Sequence, residues 1–229
     1  MPDKRFHTIL FDADGTLFDF KKAEKTAISA TAAQYGFEVS EEQTELFSII
    51  NDRCWRKFEA GEISRDELRT IRFRMWLEEI GIYKDPKKFA QAYIDNLSRC
   101  GILFDGAIEL LDTLRGNYEL YIVTNGLSKT QRGRIFHSGI EHYFKKIYIS
   151  EEVGFVKPQK EFFDYVLGEI GLCDSNGVLI FGDSLSSDMQ GGRNAGISTC
   201  KFSPEIKTEC TDLCDFEVQS YKEFLAVLD

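Results

Sequence analysis

The 229-residue chain carries 38 acidic against 28 basic residues, a formal net charge of -10, with 43% hydrophobic residues, 19 Phe and only 4 Pro. Such a composition supports a sizeable buried core, as one large domain or as a core carrying a smaller inserted one, and excludes extended disorder. The acidic balance excludes nucleic-acid polymers and anionic membranes as general partners, because both are repelled by it.

At the N-terminus, Asp3, Lys4 and Arg5 precede a short apolar run that Asp12 interrupts. That is not the pattern of a secretory signal, and no segment approaches membrane-spanning length, so the expected location is cytoplasmic. The six cysteines, Cys54, Cys100, Cys173, Cys200, Cys210 and Cys214, show no disulfide-framework spacing. Cys210 and Cys214 are four apart and could share a helix face, but no second Cys or His pair completes a metal site; scattered reduced thiols are the better reading.

Taken in chain order, apolar runs lie at residues 8–11, 120–123, 147–149 and 178–181. Unbroken apolar runs without alternation suit strands buried on both faces, as in a parallel sheet. Helical patterns such as 107–114 and 162–170 alternate with them. The expectation is an α/β fold with a doubly wound, Rossmann-like parallel sheet. Residues 21–100 break the rhythm with about four helices and no strand. Gly36 and Gly61 punctuate helix ends, Ser40 with Gln43 and Ser64 with Glu67 form capping boxes, and Asp85-Pro86 starts a fourth helix. The expected organisation is therefore a core of 1–20 and 101–229, with an inserted helical cap of 21–100.

Polar residues cluster just past the apolar runs, where parallel sheets place their ligand sites. Asp12 and Asp14 follow the first run, Thr124, Asn125 and Gly126 the second, and Asp183 and Asp188 the last; Lys157 precedes Pro158 in a loop. Four carboxylates and one ammonium then converge. Like charges so crowded raise each other's pKa unless a cation intervenes. Oxygen ligands without His or Cys favour a hard cation such as Mg²⁺. Together with Lys157 it can neutralise phosphoryl oxygens, leaving one carboxylate to attack phosphorus and another to serve as acid and base.

Four segments carry a family resemblance. Phe11-Asp12-Ala13-Asp14-Gly15-Thr16-Leu17, Ile122-Val123-Thr124-Asn125-Gly126, Lys157-Pro158 and Gly182-Asp183-Ser184-Leu185-Ser186-Ser187-Asp188 resemble, in order, the four motifs of haloacid-dehalogenase-like phosphatases. The resemblance spans the chain, with 21–100 matching their helical cap. It implies Asp12 as nucleophile and Mg²⁺ ligand, and Asp14 as general acid and base whose backbone carbonyl also binds the metal. Thr124, the Asn125 amide and Gly126 would hold phosphoryl oxygens, and Lys157 would pair with nucleophile and phosphate. Asp183 would ligate Mg²⁺, and Asp188 would ligate it or orient a bound water. Asp188 could instead cap the following helix. The related dehalogenases lack the second aspartate, so Asp14 points to a leaving group that needs a proton.

Trp55, Phe58, Gly61, Ile63, Arg72-Phe73 and Trp76, with Ile149-Ser150-Glu151-Glu152-Val153-Gly154, resemble noncanonical pyrimidine 5′-nucleotidases. That resemblance implies nucleoside monophosphates as substrates, pyrimidines preferred. A sugar-phosphate phosphatase or phosphomutase would share the core chemistry. A phospho-acceptor signalling or binding domain is the non-enzyme alternative, although receiver domains lack the helical insertion and the D-x-D-G-T order. Trp55, Phe58, Phe73 and Trp76 fit core packing better than a base-stacking platform. Arg69, Arg72 and Arg74 are expected solvated, with one able to reach substrate; Phe18 and Phe20 suit core or substrate contact equally. His7, His137 and His142 lack metal-ligand spacing.

Overall fold

A computed structural model describes residues 5–204 and 212–228; Cys210 lies outside them. The described residues divide into two compact units. The first takes those of Met1–Asp19, Leu103–Ser128 and Ser138–Asp229; the second is Phe20–Ile102 with Lys129–His137. No helix among the described residues is long and apolar enough to cross a membrane.

The first unit is built on six parallel strands: β1 (Thr8–Phe11), β2 (Glu119–Thr124), β3 (Lys146–Ile149), β4 (Val178–Gly182), β5 (Ser198–Phe202) and β6 (Phe216–Val218). Their spatial order is β3-β2-β1-β4-β5-β6. Every residue of β1 and β4 is buried, as their unbroken apolar character requires. On one face Phe11 and Phe181 meet Phe224 of the last helix (Tyr221–Leu228), the rings of Phe181 and Phe224 stacking at 3.9 Å, and Phe202 stacks on Tyr221 of the same helix. On the other, Leu10, Val123, Tyr148 and Ile180 pack with Phe162, Phe163 and Val166 of the helix Lys160–Glu169. Each such ring or branched chain contributes roughly 1.5–3 kcal/mol by leaving water. The order reverses direction at β1, whose two neighbours are β2 and β4. There Phe11 lies in register with Phe181, so the residues that follow each strand emerge side by side.

The second unit holds α1 (Phe20–Gln34), α2 (Glu41–Glu59), α3 (Arg65–Glu79) and α4 (Pro86–Leu97). Both expected capping boxes form, Ser40 with Gln43 and Ser64 with Glu67. Asp85 caps α4 with Pro86 in its first turn. Its interior is aromatic: Phe47, Phe73, Trp76, Phe89 and Tyr93 are fully buried. The Trp76 indole N–H donates to the Gln43 carbonyl at 2.8 Å, which satisfies its one polar atom. Phe58 is buried too, while Trp55 is half-buried and edge-on to it. A further helix, Ser128–Ser138, follows β2, and its residues 129–137 group with this unit; Arg134 of that helix is buried beneath the Phe20 ring and donates to the Cys100 carbonyl.

The structure decides three readings of the sequence. Phe18 is wholly buried core, whereas Phe20 is half-buried. Arg72 is neither solvated nor reaching outward: it is 2% exposed, with its guanidinium 4.9 Å from the Phe73 ring and 5.5 Å from that of Tyr93. The third is Asp188, which does not cap the following helix Gln190–Ala195; it sits within a π-helical turn, Leu185–Met189, whose cap is Ser184. The five described cysteines are free thiols, and each histidine Nδ1 pairs with a residue close in sequence.

Arg72 belongs to a buried hydrogen-bonded chain that ends on a second titratable group, Glu24. Its Nη1 donates to Asn51 Oδ1 at 2.5 Å, and Asn51 Nδ2 donates to Glu24 Oε1 at 2.6 Å. Ser48 donates to the other Glu24 oxygen. The amide of Asn51 thus bridges a guanidinium and a carboxylate, both removed from water. Burial pushes Glu24 up from 4.5 to about 7; the Ser48 bond, Arg72 and Asn51 oppose this and Asp52 adds to it.

A carboxyl raised in the folded state favours folding while it is protonated, so its contribution is full below about 4.5 and is lost as pH rises through about 7. Both tryptophans of the chain lie in this unit, so urea unfolding followed by Trp fluorescence reports on it. Between pH 5 and 8, the wild type is expected to lose on the order of 2–3 kcal/mol relative to Glu24→Gln. Parallel pH profiles for the two proteins would refute this.

Candidate active site

Asp12 directly follows β1, Asp183 directly follows β4, and Asp188 lies in the turn after it. One oxygen from each of these three carboxylates can be chosen so that all lie within 4.8 Å of one another. Asp12 and Asp188 are buried, whereas Asp183 keeps an exposed face. Asp14 stands outside this set of three and is half-buried.

Two missing side chains allow such crowding. Gly15 has φ +78°, and a Cβ there would stand 2.3 Å from Asp183 Oδ2. At Gly182 a Cβ would meet Asp188 Cγ at 2.4 Å. Both contacts are closer than atoms can approach, so any larger residue would push a carboxylate out of the cluster.

Lys157 enters from the loop between the short helix Ser150–Val153 and the helix Lys160–Glu169. It is 1% exposed. Its ammonium donates to Asp12 Oδ1 at 2.7 Å, to Asp188 Oδ1 at 2.5 Å and to the Val123 carbonyl at 2.9 Å. Three protons therefore meet three oxygens. The second Asp188 oxygen accepts from the Ser184 N–H at 3.1 Å.

At the end of β2, Thr124 is buried and its hydroxyl accepts from the Gly126 N–H at 3.2 Å. The Asn125 carboxamide is directed at Lys157: Nδ2 donates to the Lys157 carbonyl and Oδ1 accepts from the Lys157 N–H, both at 2.9 Å. Ser150 Oγ donates to the Asn125 carbonyl at 3.2 Å. Ser150 and the Val123 carbonyl had no role in the sequence reading. Ser150 does have a positional signal, since it follows the β3 run as Asp12 follows β1. A backbone carbonyl has none.

The charges do not balance. Burial pushes Asp12 well above the usual carboxylate range; Lys157 opposes this, while Asp188 and Asp183 reinforce it. Although Asp183 is exposed on one side, the protein packed around it removes enough solvent to push its carboxyl up to about 7. Asp188 and Asp14 add to that rise, and Lys157 offsets part of it. Burial alone would lower Lys157, but Asp12 and Asp188 outweigh it and hold the ammonium above its ordinary range. With all three carboxylates ionised against one ammonium, two negative charges would be in excess, and the raised carboxyls express the cost of that state. A divalent cation restores neutrality, and three converging carboxylate oxygens are the donor type that suits Mg²⁺.

The family model for haloacid dehalogenase-like hydrolase matches residues 9–202. Over 227 residues the chain is 37% identical to the HAD-hydrolase YfnB of Bacillus subtilis, covering 99% of this chain and 97% of YfnB. The magnesium-bound crystal structure of YfnB matches with a TM-score of 0.93 over 99% of this chain and 100% of that one. Identity to the pyrimidine 5′-nucleotidase PynA of Streptococcus pneumoniae is 34% over 223 residues, 96% of this chain and 94% of PynA. Identity to the pyrimidine 5′-nucleotidase YjjG of Escherichia coli is 36% over 192 residues, 84% of each chain. The chain belongs to the haloacid dehalogenase-like hydrolase family.

A cation that relieves the crowding must stabilise the fold that creates it. Millimolar Mg²⁺ is expected to raise the thermal midpoint, by the equivalent of about 2.7 kcal/mol once it exceeds its dissociation constant about a hundredfold. Asp183→Asn should abolish that rise. A wild-type midpoint indifferent to Mg²⁺ would argue against a cation site here.

Proposed function

We propose that this chain is a Mg²⁺-dependent phosphomonoesterase that works through an aspartyl-phosphate on Asp12 and hydrolyses nucleoside 5′-monophosphates, with pyrimidines preferred. The observation that carries the reading is a buried ammonium shared by two carboxylates of an acidic triad at the rim of a parallel sheet. The likeness to PynA and YjjG supports the substrate class.

Asp12, Asp183 and Asp188 would hold the metal, with the Asp14 carbonyl beside them. Bound there, Mg²⁺ would supply positive charge to the phosphoryl oxygens. Asp12 Oδ1 is held by Lys157, which leaves Oδ2 to attack phosphorus. Attack forms the Asp12 O–P bond and breaks the ester P–O bond; Asp14 gives its proton to the departing alkoxide. Water then attacks the same phosphorus and yields its proton to Asp14. The Asp12 O–P bond breaks and inorganic phosphate leaves. Thr124 and the backbone N–H groups of Asn125 and Gly126 would receive phosphoryl oxygens as charge shifts onto them.

The deciding experiment is a phosphate-release screen over nucleoside monophosphates and sugar phosphates, with Mg²⁺ and with chelator. Pyrimidine monophosphates should be the best substrates and chelator should stop turnover; a clear preference for sugar phosphates would move the assignment to that class. Asp12→Asn should abolish release while its circular dichroism matches wild type, and residual Mg²⁺-dependent activity would remove Asp12 as nucleophile. Asp14→Asn should lose about 10²–10⁴-fold on alkyl phosphates. Its loss on p-nitrophenyl phosphate, whose leaving group needs no proton, should be much smaller; equal losses would contradict the acid role.

A further inference from the structure

We infer that the Asn125 side chain is a positioning residue that fixes the backbone of Lys157, and through it the buried ammonium, rather than a ligand of the phosphoryl group. The inference rests on the phosphatase reading above and names a task within that site.

The argument begins with what Lys157 needs. Its main chain lies in the loop between the helices Ser150–Val153 and Lys160–Glu169, yet the residue is 1% exposed. A buried N–H and C=O without partners would each cost free energy comparable to a lost hydrogen bond. One side chain satisfies both: Asn125 accepts from the Lys157 N–H and donates to its carbonyl, each at 2.9 Å. An asparagine is suited to this because its carboxamide presents a donor and an acceptor side by side. Aspartate would lose the donor, and leucine would lose both.

Asn125 is itself fixed. It is 8% exposed, it directly follows β2, and Ser150, 0% exposed at the end of β3, donates to its carbonyl at 3.2 Å. A continuous set of bonds thus runs from the ends of β2 and β3 through Asn125 to the Lys157 backbone. From there the side chain carries it to Asp12, Asp188 and the Val123 carbonyl. An aliphatic stem anchored at its backbone delivers its ammonium to one place. With the anchor removed, a displacement of about 1 Å at the reacting groups can cost about 10²-fold in rate.

The test is a double-mutant cycle read as kcat on p-nitrophenyl phosphate with Mg²⁺, paired with amide exchange at Lys157. Asn125→Ala leaves the backbone N–H at 125 in place, so it removes the side-chain role alone. It is expected to lower kcat about 10²-fold, with a smaller change in KM. In a Lys157→Met background, the same substitution should cost less than about threefold, because residues acting as one unit are non-additive. A repeated loss of about 10²-fold there would mean that Asn125 touches the phosphoryl group independently, and would overturn the inference. The Lys157 amide should exchange with deuterium at least tenfold faster in Asn125→Ala than in wild type; an unchanged rate would overturn the inference whatever the kinetics. Absence of phosphate release by the wild type would refute the phosphatase reading instead, and leaves the exchange measurement interpretable.

Discussion

The Lys157 ammonium, withdrawn from water and held by Asp12, Asp188 and a backbone carbonyl, is the interaction on which the rest of the site depends. A buried unpaired ion costs several kcal/mol, so the fold must bring its partners to it with good geometry. The sheet order does this by making β1 and β4 neighbours, which sets the residues after Phe11 and Phe181 side by side. Gly15 and Gly182 then leave room for Asp183 and Asp188 to approach.

The molecule buries charge in a second place and treats it differently. In the helical unit, the Arg72 guanidinium and the Glu24 carboxyl are joined through Asn51, with aromatic rings around the guanidinium. That arrangement holds no negative charge in excess, and its three members come from three helices, α1, α2 and α3. The acidic triad with Lys157 is not balanced, since its four groups fully ionised would carry two negative charges in excess. Perturbed groups gathered at the end of a sheet with a deficit of positive charge are the observation on which the proposed cation and substrate site rests. The two clusters differ in their charge count and in exposure, since Asp183 of the triad keeps an exposed face.

Much of this is legible before any coordinates. Runs such as 8–11 and 178–181 announce strands buried on both faces, and the polar residues after them announce a rim. Ser40 with Gln43 and Ser64 with Glu67 mark helix starts through purely local bonds. Arg72 was not legible, because a charged residue between Arg69 and Arg74 fits a solvated face, and only packing against Phe73, Tyr93 and Asn51 turns it inward. The direction of the Asn125 carboxamide was not legible either. Its residue type suits a phosphate ligand, a turn or a backbone anchor, and only the nearness of Lys157 selects among them.

The linear order of residues determined the local features by itself: strand runs, helix caps, an inserted helical stretch, and acidic residues at strand ends. Periodicity and capping act over a few residues, so they survive in one dimension. The tertiary structure decided the partners. Asp12 and Lys157 are 145 positions apart, and their 2.7 Å contact follows from strand order, register and the course of a loop. Hydrophobic patterning states that a residue is buried but not what it is buried against. That identity is set by packing between distant segments, and here it separates a charge joined to a carboxyl of a neighbouring helix from one gathered with an acidic triad at the rim of the sheet.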